Sequence, residues 1–206
     1  MPGSRSSRRP GLSQAQASLV GLVLLVVCSA GTIYAACATI SQRAYRAAKY
    51  GAGKDDLELA LKLCRTAGKL YPFNFYVQQY IGERAYYGSF DAESHEEATA
   101  LLKLSQHWCD RGIRLNYYDR TLRLRRVALL ARKDLDSAVA EMERYLDWHY
   151  WHPHNHATIA RLYARAGEFD KAEQSLFLVE RSTYYEDAVR GVELAKWKFL
   201  ESLSSP

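Results

Sequence analysis

Apolar residues change their spacing near residue 40. From Ala17 to Ile40 no residue is charged, and the run SLVGLVLLVVCSAGTIYAACATI matches the roughly 20 residues a helix needs to cross a bilayer. Beyond it, apolar positions recur every three or four residues, the period of an amphipathic helix. One such stripe is Ala98, Leu101, Leu102, Ser105, Trp108, Cys109 and Gly112, and Ser94 with Glu97 gives a capping-box start ahead of it. The pattern predicts one membrane-entering helix followed by packed amphipathic helices, an all-α chain.

The helical stripes come in pairs. His154 to Glu180 reads HNHATIARLYARAGEFDKAEQSLFLVE, with Ile159, Ala160 and Tyr163 on one face, a break at Gly167, and Ala172, Leu176 and Val179 on the next helix. A small residue at Ala172 lets two antiparallel helices approach closely. Ser41 to Asn74 repeats the spacing over 34 residues through Ala47, Ala48, Gly51, Ala60, Cys64, Ala67 and Pro72. A third stretch has Ile81-Gly82 and then an insertion from Gly88 to His95. A fourth places Ala138, Met142 and Tyr145 on its second helix, but Arg125 and Arg126 stand where a Leu-Gly pair belongs, so the register there is slipped against an apolar face of Leu124, Val127, Ala128 and Ala131. Thr183 and Glu186 form a second capping-box signature ahead of DAVRGVELAKWKFLESL, a helix suited to cover the end of a stack.

These spacings resemble the tetratricopeptide repeat (TPR) superfamily over roughly 160 residues. The resemblance implies a right-handed α-solenoid of about four helix pairs with a C-terminal capping helix. The expected organisation is a disordered basic tail (1–16), a transmembrane helix or uncleaved signal anchor (17–40), repeats at 41–74, 75–118, 119–152 and 153–186, and a capping helix and tail (187–206). It also implies a concave groove that holds a peptide or helix of a partner protein. On repeat offsets 2, 5, 9, 12 and 13 the groove residues are Tyr45, Lys49, Tyr76, Gln79, Glu83, Tyr86, Tyr87, Arg120, Arg123, His154, Arg161 and Arg165. Arginine grips carboxylates in bidentate fashion and tyrosine offers contact area at low entropic cost, so such a groove suits an extended peptide with acidic groups.

Charge refines the picture only slightly. The formal net charge is +5, but Arg5, Arg8 and Arg9 supply three of these charges, leaving +2 elsewhere and little support for nucleic-acid binding. The acid-free tail points to an N-terminus left in the cytoplasm and a repeat domain on the periplasmic side. Arg43, Arg46, Lys49 and Lys54 beyond the span nearly balance that bias. A cleaved signal peptide competes with the anchor, since Ala35, Ala36 and Ala38 supply small residues at its end. Cys64 and Cys109 lack metal-ligand spacing and read as buried thiols, with a disulfide as the alternative in an oxidising compartment.

The chain carries no phosphate loop, nucleophile elbow or paired-cysteine motif, so no enzyme and no cofactor are expected. Its oddest stretch, Asp147-Trp-His-Tyr-Trp-His-Pro-His-Asn-His156, packs four of the six histidines into eight residues. His149, His152, His154 and His156 could converge on a metal or haem, in outline resembling membrane-tethered repeat subunits of cytochrome maturation. The competing reading makes them cap helix ends at an inter-repeat turn. Three functions follow: a membrane-tethered scaffold assembling a bacterial envelope complex around a membrane-associated protein partner, a cytosol-facing peptide receptor on an organelle membrane, and a metal- or haem-handling assembly factor.

Overall fold

The computed structural model describes residues 13–204 and is all-α among them. Helix α1 (Gln14–Tyr50) runs without a break through residues 40 and 41, so the apolar segment and the first repeat helix are one rod. Its start lies ahead of Ala17: Ser13 Oγ accepts from Gln16 N–H while Gln16 returns the bond to Ser13 N–H, a complete capping box. The three arginines of the basic tail lie outside the described residues. Among those described, α1 alone is long and apolar enough to cross a membrane, and its apolar window is wholly exposed.

The remaining helices are α2 (Leu57–Leu70), α3 (Phe75–Gly88), α4 (His95–Leu115), α5 (Arg120–Leu130), α6 (Leu135–His149), α7 (Pro153–Arg165), α8 (Phe169–Phe177) and α9 (Tyr185–Ser204). Most starts have a side-chain reason. Asp56, Asn74, Ser94, Asp119 and Asp134 each accept a bond from a free backbone N–H of the first turn, and Pro153 opens α7 where its missing N–H costs nothing. The Ser94 box closes differently from expectation: Ser94 caps Glu97 N–H, but the Glu97 carboxylate accepts from Glu93 N–H. The last helix begins at Tyr185, where Ser182 Oγ accepts from Tyr184 N–H ahead of it.

Short connections make successive helices antiparallel neighbours, and each packs on the next, with α9 lying against both α7 and α8. Odd helices therefore run parallel to one another. The register between α1 and α3 confirms this: Asn74 Nδ2 donates to Gln42 Oε1 at 3.3 Å, and Tyr80 Oη donates to Ala48 O at 3.0 Å.

The core is a chain of clusters, as expected where each pair buries its apolar face only against its neighbours. One holds Tyr45, Ala48, Ala60, Cys64, Ala67, Val77, Ile81 and Trp108. Cys109, Ile113, Leu122 and Leu129 bridge it to a second centred on Val127, Met142, Tyr145, Ile159 and Val192. Small residues set the closest approaches. A Cβ on Gly82 would sit 3.1 Å from Cys109 Sγ, and the Gly82 carbonyl accepts from Ser105 Oγ at 2.7 Å. Gly167 ends the α7 turn at φ +79°, a conformation that favours glycine. Both Cys64 and Cys109 are buried free thiols, their pKa pushed up to about 12 by burial.

Candidate functional site

Parallel odd helices leave their free faces side by side, and between α3, α5, α7 and α9 these enclose an open groove of about 800 Å³. Its floor is apolar, built from Leu124, Val127, Ala128 and Ala131 of the α5 segment, Leu162 of α7, and Leu194, Ala195 and Phe199 of α9. Four bases line it, Arg132, Arg161, Arg165 and Lys198, and no acid does. A second hollow of about 440 Å³ shares Leu124 and Ala128 and continues past Tyr87, Arg120, Arg125 and His154.

Several of these cations are held in place. Arg165 Nη2 donates to Ala131 O at 2.7 Å, satisfying a carbonyl at the C-terminal end of α5. Arg161 lies along Gly191 and pairs with the exposed Asp187. Arg125 stacks over Tyr86 and Tyr87 at 4.4 and 4.6 Å, 3.8 Å from Glu83, and Arg132 stacks over Phe90 at 4.5 Å. Arg120 Nη1 donates to His152 Nε2 at 2.9 Å. That bond needs a neutral imidazole, and the pKa of His152 is lowered by burial and by the Arg120 charge; His154 is lowered by the same two causes.

Of the twelve residues expected on the groove, Tyr86, Tyr87, Arg120, His154, Arg161 and Arg165 line these hollows. Glu83 stands beside them through Arg125, and Gln79 is half-buried one turn back on α3. Tyr76 is exposed at the start of α3, stacked on Phe75. Tyr45 is buried edge-on against Tyr80, with Lys49 beside its ring.

Arg123 requires correction. Its side chain is 6% exposed and turned away from the groove, with Nη1 donating to Glu141 Oε1 at 2.6 Å, Nε donating to Tyr117 O at 3.0 Å, and the guanidinium 3.9 Å from the Tyr117 ring centre. The cause is the register slip of this repeat. The groove face of α5 is Arg120, Thr121, Leu124, Arg125 and Ala128, so an offset rule counted from the family pattern lands a quarter-turn off. The same slip hid Arg125. Phe90 and Arg132 follow their helices, outside any repeat offset, and α9 supplies one wall of the groove as well as covering the end of the stack.

The four clustered histidines do not converge. His156 is buried and donates to Tyr150 O, His152 takes the Arg120 bond, His149 packs on Tyr145 and Trp151, and His154 faces Tyr184. Among the described residues no group of three or more His, Cys, Asp or Glu side chains is placed to hold a metal ion.

Paired antiparallel helices in series, clustered cores and a concave groove define a TPR-like helical-repeat fold. The chain is similar in structure to a solved thermophilic TPR protein, TTC0263 of Thermus thermophilus, with a TM-score of 0.59 over 84% of this chain and 96% of that one, at 21% sequence identity. No family model matches the sequence, and no curated protein matches it.

Proposed function

We propose that this protein is a membrane-tethered scaffold whose concave groove holds an acidic, partly apolar segment of a partner protein, in the assembly of a bacterial envelope complex. One observation carries the reading: a groove of about 800 Å³ with an apolar floor, lined by four bases and no acid. Apolar anchors on the partner would fill the floor between α5 and α9, and its carboxylates would meet Arg132, Arg161, Arg165 and Lys198.

The tether is α1. An apolar window of mean hydropathy 2.3, none of it buried among the described residues, suits the lipid core, and its continuity with the first repeat holds the groove near the bilayer. The acid-free N-terminal tail supports a repeat domain facing away from the cytoplasm.

Co-purification of the full chain in mild detergent, wild type against Arg161→Glu with Lys198→Glu, tests the groove. The reading expects partners of the wild type to be lost from the double variant while its helicity is kept. An unchanged partner set contradicts it. Protease protection of the repeat domain in intact cells, lost when the envelope is opened, separates this orientation from a cytosol-facing receptor.

A further inference from the structure

The two edges of the repeat array differ sharply in chemistry. Connections from odd to even helices (residues 51–56, 89–94, 131–134 and 166–168) lie on one edge, and those from even to odd helices (71–74, 116–119, 150–152 and 178–184) on the other. The first set contains one aromatic, Phe90, and six acids, whereas the second contains seven aromatics and two acids. Capping explains acids ahead of α2 and α6, through Asp56 and Asp134. It does not explain why Phe73, Tyr118, Tyr150 and Trp151 stand 56–76% exposed on the other edge.

That aromatic edge is the one from which the apolar half of α1 projects. Every odd helix begins there, and the N-terminal half of α1 extends past it in the same direction. Twenty residues from Ala17 reach Ala36 and span about 30 Å, the thickness of the hydrocarbon core. Within a turn of that point Tyr34 meets Tyr71 edge-on at 5.3 Å, and Tyr71 meets Phe73 at 6.1 Å. The next connection repeats the pattern, with Tyr118 against Tyr117 and Trp148 at 5.3 and 5.7 Å. Exposed Lys69 and Arg114 close the helices that lead into these two loops.

Tyrosine and tryptophan concentrate where a bilayer meets water because the ring sits among headgroups while its polar atom stays hydrated, and nearby cations add attraction to anionic lipids. We infer that the inter-repeat edge carrying Tyr71, Phe73, Tyr117, Tyr118 and Trp148 rests in the headgroup layer of the bilayer that α1 crosses, so that the array lies along the membrane and its groove opens parallel to the surface. The inference rests on the reading of α1 as a membrane span. The acidic edge then faces bulk water, and the groove is presented to segments that run along the bilayer or emerge from it.

The test uses the full chain in phosphatidylethanolamine–phosphatidylglycerol vesicles containing brominated lipid. Cys28 and Cys37 are replaced by alanine, and Cys64 and Cys109 stay, since both are buried. A fluorophore is attached in turn at Leu24→Cys in the span, Tyr118→Cys on the aromatic edge and Asp55→Cys on the acidic edge, all exposed positions. The expected result is that labels at 24 and 118 lose most of their fluorescence to the lipid quencher while the label at 55 keeps its own. If 24 is quenched but 118 behaves like 55, the edge stands away from the bilayer and the inference is overturned with the anchor intact. If 24 is not quenched, α1 is not in the membrane and both readings fall.

Discussion

Replacing Arg123 by leucine tests the corrected register of the third repeat. The substitution removes the cation that donates at 2.6 Å to Glu141, a carboxylate whose side chain is 4% exposed, together with the bond to Tyr117 O. Breaking a buried pair from one side costs ~3–5 kcal/mol, because the remaining charge stays desolvated. Here Arg144 at 3.4 Å and Arg126 at 3.8 Å still face the same carboxylate, so the lower end, about 3 kcal/mol, applies. With a urea slope of about 2 kcal/mol per molar, the unfolding midpoint falls by about 1.5 M. Tryptophan fluorescence of the full chain in detergent reports it through Trp108, Trp148, Trp151 and Trp197. Arg126→Leu, at a side chain 35% exposed, should cost less than about 1 kcal/mol. Adding Glu141→Leu to Arg123→Leu should recover much of the loss, since an apolar pair tolerates burial. A midpoint unmoved by Arg123→Leu would refute the buried pairing and return Arg123 to the groove.

Gly167→Ala forces a side chain onto a φ of +79° and a Cβ within 2.5 Å of the Phe199 ring, so thermal denaturation should reveal a loss of ~1–3 kcal/mol, and an unchanged melting temperature would contradict the fit of α9 against the α7 turn. Burial raises the Cys64 and Cys109 thiols from 9.0 to about 12, so the unfolded chain releases these protons first. Their contribution to stability is complete below pH 9.0 and is lost as pH climbs toward 12. The urea midpoint of the wild type should therefore fall more steeply over that range than that of Cys64→Ala with Cys109→Ala, and parallel profiles would contradict it. Burial, and then the Arg120 charge, should hold His152 and His154 below 6.5 by NMR, and Arg120→Gln should move both upward; midpoints that do not respond to Arg120→Gln would mean that the Arg120 contact is not made.

The helix pairs were legible because their signals are local. Gly51 and Gly167 end helices, Asp and Ser caps start them, and the small residues Ala48, Ala60, Ala138, Ala160 and Ala172 are all buried where facing helices meet. The groove was only half legible, because assigning a residue to it multiplies a repeat offset by a register. In α7, Arg161 and Arg165 both line the larger hollow. In α5 one step of slip is about 100° of rotation, enough to exchange Arg123 for its neighbours Leu124 and Arg125. The α9 wall was hidden for another reason. Leu194, Lys198 and Phe199 belong to no repeat, so no periodic rule assigns them, and only packing against α7 brings them to the groove. Closeness in sequence does not bring the four histidines together, because Pro153 starts a helix between them and sends His152 and His156 to different partners. The polarity of the two edges was present in the sequence too, visible once antiparallel packing had sorted the connections.

Site-specific photocrosslinking in intact cells tests the scaffold account most directly. A photoreactive side chain is placed at Ala128 or Leu194 on the groove floor, or at Lys62 or Lys103, exposed on the even helices α2 and α4. The account predicts that both groove positions trap the same partner protein and that neither outer position does. Adducts formed from Lys62 and Lys103 alone, or from none of the four positions, would contradict it.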